Sequence, residues 1–360
     1  MANLPEKKNI PFNHILAALL NSQNIFPPTY LHHFSDLEGK DLESLRQAWP
    51  EISPQRRFTL LEDLEELAEL DMLVSYGQMA RLALNDTDPR VRTVAVRMLW
   101  EDDDPLLAPI FMKMMAADAN TDVRAAAATA LGVFIYQGEI EEFPEEMLRR
   151  VEDALLGVIT SQEDKLIRRR ALESMGFSSR KEVPGLIREA YITSDTDWLT
   201  SALFAMGRSA DNVWAPDVMR MLHHPKGSVQ LEAVRASGSL EMEGSRRVLL
   251  DLLEEEAQDP DMRLAVFWSL SQIGGEEVRE TLEKIAEETE DEDELEYVEK
   301  ALDNLSFTED ADIVGMFDLE NMSQEMNDEG TGEYIPLDQL DISEDEDKPS
   351  NPPGDENDPD

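Results

Sequence analysis

The chain has 360 residues, with 78 Asp and Glu against 32 Lys and Arg, a formal net charge of −46. That balance argues against the clustered cationic face that nucleic acid or anionic membrane would need. The absence of cysteine removes disulfides, thiol catalysis and thiolate metal sites, while 41% hydrophobic residues suffice for a substantial core.

The N-terminal residues include a short apolar stretch, Ile15 to Leu20, broken upstream by Pro11, Asn13 and His14 and followed by no small-residue cleavage site. It reads as neither a signal peptide nor a membrane span, which needs roughly 20 apolar residues. A soluble, cytoplasmic protein is therefore expected. Short helices are predicted over 12–20 and 41–48. Ser53-Pro54 has the form of an N-cap and first-turn pair opening a helix through Leu70. Residues 1–72 read as a helical cap for the array that follows, covering its exposed apolar face.

From there to residue 306 the chain repeats itself. Seven ten-residue segments superpose without gaps, beginning at Val91, Val123, Ile167, Trp198, Val229, Met262 and Tyr297. Their last residues are spaced by 32, 44, 31, 31, 33 and 35. The fifth column is Ala95, Ala127, Ala171, Ala202, Ala233, Val266 and Ala301, and the ninth is Leu99, Leu131, Met175, Met206, Ser237, Leu270 and Leu305. Columns one, five and nine fall on one helical face, so each segment is predicted to bury a stripe. The alanine column suits a close approach of two helices. Gly132, Gly176, Gly207 and Gly238 are expected to stop their helices, as glycine does just past a C-terminus.

Polar connectors precede the segments, among them Asp88-Pro89, Asn120-Thr121, Asp195-Thr196 and Asp259-Pro260, and supply N-caps. Upstream of these lie partner helices at Leu73–Leu84, Leu106–Met115, Glu145–Ile159, Val213–Leu222, Arg247–Leu253 and Glu277–Ala286. The 44-residue interval holds an insertion around Tyr136–Pro144.

The Asp/Asn-x-x-Val-Arg opening (Asp88 to Arg92, with Asp122 to Arg124), the alanine column and the Ala130-Leu131-Gly132 exit resemble the HEAT-like repeats of bacterial proteins, including the short variety first known from phycobilisome lyases. The resemblance covers roughly residues 73–306. It implies an all-α, right-handed α-solenoid of about seven helical hairpins whose second helices line the concave surface. The second-position arginine departs from the pattern: Arg92, Arg124, Arg168 and Arg263 keep it, whereas Leu199, Gln230 and Val298 do not.

The last segment, 307–360, contains 19 acids and one base, with Pro349, Pro352, Pro353 and Pro359 among them, and reads as a disordered acidic tail. Residues 276–299 add 13 acids against Arg279 and Lys284. Outside these two stretches the remaining 282 residues carry −17, so the acidity is concentrated at the C-terminal end.

Catalytic groupings are missing from the sequence. His14, His32, His33, His223 and His224 include no His-Glu dipeptide, which counts against deoxyhypusine hydroxylase, a HEAT-like enzyme whose iron site uses such pairs. Asp118-x-Asn120-x-Asp122 imitates an EF-hand start, but Val123 replaces the required glycine and Thr129 the bidentate Glu, so it reads as a helix N-cap. No phosphate loop or nucleophile elbow occurs. A non-enzymatic protein without cofactor or metal is expected.

Column seven offers a binding surface instead: Arg97, Thr129, Glu173, Phe204, Arg235, Trp268 and Asp303. Phe204 and Trp268 alternate with arginines, and large aromatics and Arg are the residues that anchor partners. The competing reading is that both rings pack against neighbouring helices. Within the tail, Phe317 belongs to an apolar cluster interleaved with acids and forms a further binding candidate. The sequence thus reads as a protein-interaction scaffold for a basic protein or peptide, tuned by the acidic tail. The alternative is a chromophore lyase or isomerase of the phycobilisome type.

Overall fold

A computed structural model describes residues 10–254 and 259–307. The expectations for the tail, Phe317 included, lie outside the described residues. Apart from Phe307, the helices belong to the first of two compact units, residues 1–306, the second being 307–360.

All regular structure among the described residues is helical. The N-terminal region forms α1 (Phe12–Leu20), a 3-10 segment (Pro28–Phe34), α2 (Gly39–Ala48) and α3 (Pro54–Leu70). Ser53 caps α3, its hydroxyl accepting from the Arg56 amide with Pro54 in the first turn. Two hairpins follow, α4 (Gly77–Ala83) with α5 (Pro89–Arg97) and α6 (Leu107–Ala117) with α7 (Thr121–Ala130). The insertion is a helix, α8 (Gly132–Glu139), whose Phe134 is buried and contacts the rings of Phe111 and Phe143. The remaining hairpins are α9 (Glu145–Ile159) with α10 (Lys165–Met175), α11 (Val183–Tyr191) with α12 (Thr196–Arg208), and α13 (Ala215–Met221) with α14 (Gly227–Ser239). Last come α15 (Arg246–Leu253) with α16 (Pro260–Ile273), and α17 (Glu276–Glu288) with α18 (292–307).

The second helices stack in sequence order: α3 packs on α5, α5 on α7, α7 on α10, and so through α12 and α14 to α16. From α5 to α16, each also packs on the first helix of its own hairpin. Among the described residues this is a solenoid of seven hairpins. Asp88, Asn120, Asp164, Asp195 and Asp259 cap the second helices by accepting backbone amides, placing acceptors where each helix has unpaired donors.

Columns five and nine are buried in every repeat, each such side chain removing apolar surface from water. Column one departs twice. Trp198 is half-buried, with Arg168 over its ring at 5.3 Å. Tyr297 is 47% exposed, and its neighbour Val298 occupies the core in its place. At the start of α18 the second position is thus a core position, which is why no arginine stands there, while Ala301 and Leu305 keep their columns.

The second-position arginines bond the exposed carbonyl ends of the preceding first helices or the turns after them. Arg92 donates to Asp86 O (2.7 Å), Arg124 to Met115 O (2.7 Å), Arg168 to Ile159 O (2.9 Å) and Arg263 to Leu253 O (3.2 Å). The unpaired carbonyls of a helix end explain the preference for a long donor. Gln230 breaks the arginine pattern but does the same work, donating to Leu222 O at 2.9 Å.

The glycine expectation is corrected at Gly207 and Gly238, whereas Gly132 and Gly176 do stand at or just past a helix end. Gly207 lies inside α12, Gly238 inside α14, Gly132 opens α8, and Gly176 caps α10 at φ −54° in right-handed geometry. Their role is close approach: a Cβ on Gly176 would fall 2.8 Å from Ala205 O, on Gly207 3.1 Å from Ala236 Cα, and on Gly238 2.6 Å from Ser269 Cα. Column ten of one repeat thus meets column eight of the next. The facing residues are correspondingly small, and two of them bond across the contact, Ser174 Oγ to Ala128 O (2.8 Å) and Ser269 Oγ to Val234 O (2.9 Å). The glycine that ends a helix through its conformational freedom is Gly274, at φ +68° after α16.

The cap is joined to the array by a buried ion pair. Arg57 of α3 meets Asp86 of the α4–α5 turn (Nε to Oδ2 2.8 Å), with side chains 5% and 1% exposed. Trp49 Nε1 donates to the same carboxylate at 2.7 Å, and Arg57 Nη1 reaches Ile52 O at 2.8 Å.

Three substitutions can be compared by urea denaturation. Gly238→Ala is expected to lose about 1–3 kcal/mol through overpacking. Gly157→Ala, in open space within α9, gains about 0.5–1 kcal/mol from helix propensity; equal effects would rule out close approach as the reason for the glycine. Asp86→Ala leaves Arg57 buried and uncompensated, and is expected to cost about 3–5 kcal/mol.

Candidate functional site

The stacking that buries columns five and nine leaves column seven on the flank, and there the structure brings three of the sequence-predicted residues together. Phe204 of α12, Arg235 of α14 and Trp268 of α16 line one open groove of about 540 Å³. Arg208, Glu232, Asp261, Leu264 and Tyr297 complete its lining, with Gly207, Ala236, Ser239 and Ala265 at the helix contacts. Trp268 is 53% exposed, whereas Phe204 is half-buried.

Arg97 lies elsewhere. It pairs with Glu65 of α3 and ties the cap to α5. Glu173, the column-seven acid of α10, is buried: its carboxylate accepts from Ser201 Oγ (2.5 Å) and pairs with Arg170 (2.6 Å). Ser201 in turn accepts from Arg169 Nε at 2.8 Å, so the flank of α10 and α12 is a connected polar run leading toward the groove.

Arg208 is the central cation. Its guanidinium lies 4.4 Å from the Phe204 ring centre and 4.6 Å from that of Phe177, an arrangement that favours a desolvated cation. Nη1 donates to Glu173 O at 3.3 Å, and among the described residues no carboxylate lies within ion-pair distance of it. Burial pulls the guanidinium down to about 10, against the opposing pull of Glu173 and Glu232. Glu232 is 7% exposed, and burial raises its carboxyl above the usual range, opposed by Arg235 at 3.6 Å and by Arg208.

Arg208, Glu232 and Tyr297 escaped the sequence reading for different reasons. Arg208 falls one residue past the aligned segment, and Glu232 sits in a fourth column of mixed character. Tyr297 occupies a column whose other members, Trp198 excepted, are core residues. The signal that could have found Arg208 is its position four residues after Phe204, which places both on one helical face. Among the described residues no group of three His, Asp or Glu could hold a metal ion, and no helix is long and apolar enough to cross a membrane.

Stacked helical hairpins with a groove along their second helices define an α-solenoid. Residues 79–176 and 215–303 match the family of HEAT repeats, together more than half of the chain. The protein belongs to that family. No curated protein matches it. Similar solved structures include the CpcE–CpcF complex of phycocyanin lyase from Nostoc sp., at 18% identity and TM-score 0.43 over 64% of this chain and 94% of that one. Human deoxyhypusine hydroxylase is similar at 16% identity and TM-score 0.32, over 73% of this chain and 95% of that one. Importin beta shows 14% identity and TM-score 0.39, over 82% of this chain and 46% of that one.

The raised carboxyl of Glu232 gives a signed pH prediction. A carboxyl higher in the folded than in the unfolded state binds its proton more tightly when folded, so its contribution to stability falls as pH rises through that window. Glu232→Gln is therefore expected to gain stability relative to the parent between acid and neutral pH. Urea midpoints at pH 4 and pH 7 check this; a constant difference would contradict it.

Proposed function

We propose that the protein is a non-enzymatic scaffold or adaptor that holds a partner protein on the second-helix, concave face of its solenoid. One observation carries the reading: Phe204, Arg235 and Trp268 converge on an open groove while Trp268 keeps 53% of its surface in solvent. A ring placed only for packing would be covered. Exposed aromatics beside arginine are the side chains that dominate binding energy at protein interfaces. The HEAT repeat supports an interaction role as a scaffold, but the fold hosts many functions, so the reading rests on the groove.

The charge of −46 acts at longer range. It favours approach of a basic protein in the cytoplasm, and the acidic residues beyond 307 strengthen that field without needing a fixed position.

Affinity purification from the native cell, run in parallel with the parent and Trp268→Ala, is expected to recover a protein that the variant loses; equal recovery removes the groove from the reading. Its association rate should fall with added salt. Removing 307–360 should reduce that salt dependence while leaving the helical circular-dichroism signal and Tm of the array unchanged. A visible absorbance band on the purified protein would instead support the chromophore lyase.

A further inference from the structure

The groove does not share the strong acidity of the chain, and its charges are unevenly placed. Facing it are Arg208 and Arg235, the carboxyls of Glu232 and Asp261, and the rings of Phe204, Trp268 and Tyr297. Glu232 is buried and already opposes Arg235, while Glu173 behind it is taken up by Ser201 and Arg170. Asp261 is exposed and lies two turns before Trp268 on α16, about 10 Å along the helix axis. The end of the groove nearest Phe204 is thus cationic.

Arg208 makes this end specific. Its guanidinium is fixed between two rings, spends one donor on Glu173 O, and has no ion-pair carboxylate among the described residues. A planar group with five donors held in this way is prearranged for a carboxylate. Arg235, with half of its side chain exposed, adds a second donor set on the next helix. A lysine or arginine entering here would add a third like charge beside Arg208 and Arg235. The other end presents Trp268 at 53% and Tyr297 at 47% exposure, surfaces suited to an aromatic ring. A volume of about 540 Å³ lies within the range of ligand-sized sites.

We infer that the groove recognises a partner segment in which an aromatic side chain stands beside an Asp or Glu, the carboxylate meeting Arg208 and Arg235 and the ring meeting Trp268 and Tyr297. This rests on the protein-binding reading above and specifies its anchor. Overall charge governs how a partner approaches, whereas these side chains govern which residues of it are held. The two act at different ranges because the field is screened over roughly 8–10 Å in physiological salt.

The test is selection from a random dodecapeptide phage library against the full chain in about 0.15 M salt, with selected peptides then measured by fluorescence anisotropy. Enriched peptides are expected to carry an aromatic within two residues of Asp or Glu. Replacing that acid by its amide should weaken binding about tenfold, the scale of a charge-assisted hydrogen bond. Arg235→Gln and Arg208→Met, each with a circular-dichroism spectrum matching the parent, should do the same. Peptides that need Trp268 but are basic or lack an acid, or that ignore Arg235→Gln, overturn this inference alone. Peptides indifferent to Trp268→Ala overturn the groove as a binding surface as well.

Discussion

The second helices approach so closely that no side chain fits between them at one point in each central repeat. Gly238 faces the backbone of Ser269, Gly207 that of Ala236 and Gly176 that of Ala205. That contact fixes the phase of each helix against the next, since a rotation of one residue would drive a Cβ into a neighbouring main chain. With the phase fixed, the fifth and ninth columns enter the core and the seventh emerges on the flank. The groove follows from this constraint: Phe204, Arg235 and Trp268 meet because three successive helices present the same column at the same height. Serine at the facing position adds a hydrogen bond to the preceding helix, so the contact is polar as well as tight.

Much of this fold was legible because repetition lets columns be compared within one chain. The hairpins, their Asp and Asn caps, the cap helices and the buried stripes all follow from side-chain size and period. What escaped has physical causes. Glycine just after an apolar run reads equally as a helix stop and as a close contact, and only the neighbouring helix distinguishes them. The second-position arginine looked interrupted at Gln230 because residue identity was compared, whereas the structure preserves a donor to a helix-end carbonyl. Tyr297 reads as a core residue by its column, but at the start of α18 the neighbouring Val298 takes that core position. Three of the four column-seven binding candidates within the described residues share the groove; Arg97 does not, because its partner Glu65 belongs to α3, outside the repeat.

Net charge is a weak guide to a local surface here. A total of −46 coexists with a groove whose Phe204 end carries two guanidiniums. Pairing contributes to the difference, since the Glu232 carboxyl is buried and lies 3.6 Å from Arg235. Cation, ring and carboxyl are arranged by the helix spacing, and total charge carries no information about that arrangement.

The Arg57–Asp86 pair divides the molecule's ends into unlike kinds. At the N-terminal end, a charged bond closed off from water and shared with Trp49 makes the cap and the first hairpin one cooperative block. At the other, α16 passes into α17 through Gly274 and Gly275, both at positive φ, and α17 continues into an acid-rich stretch of like charges. Contacts in such a stack run between neighbours only, so loosening spreads one hairpin at a time. The array therefore has a direction: it is anchored at its beginning and yields from its end, and the groove lies in the half that yields first.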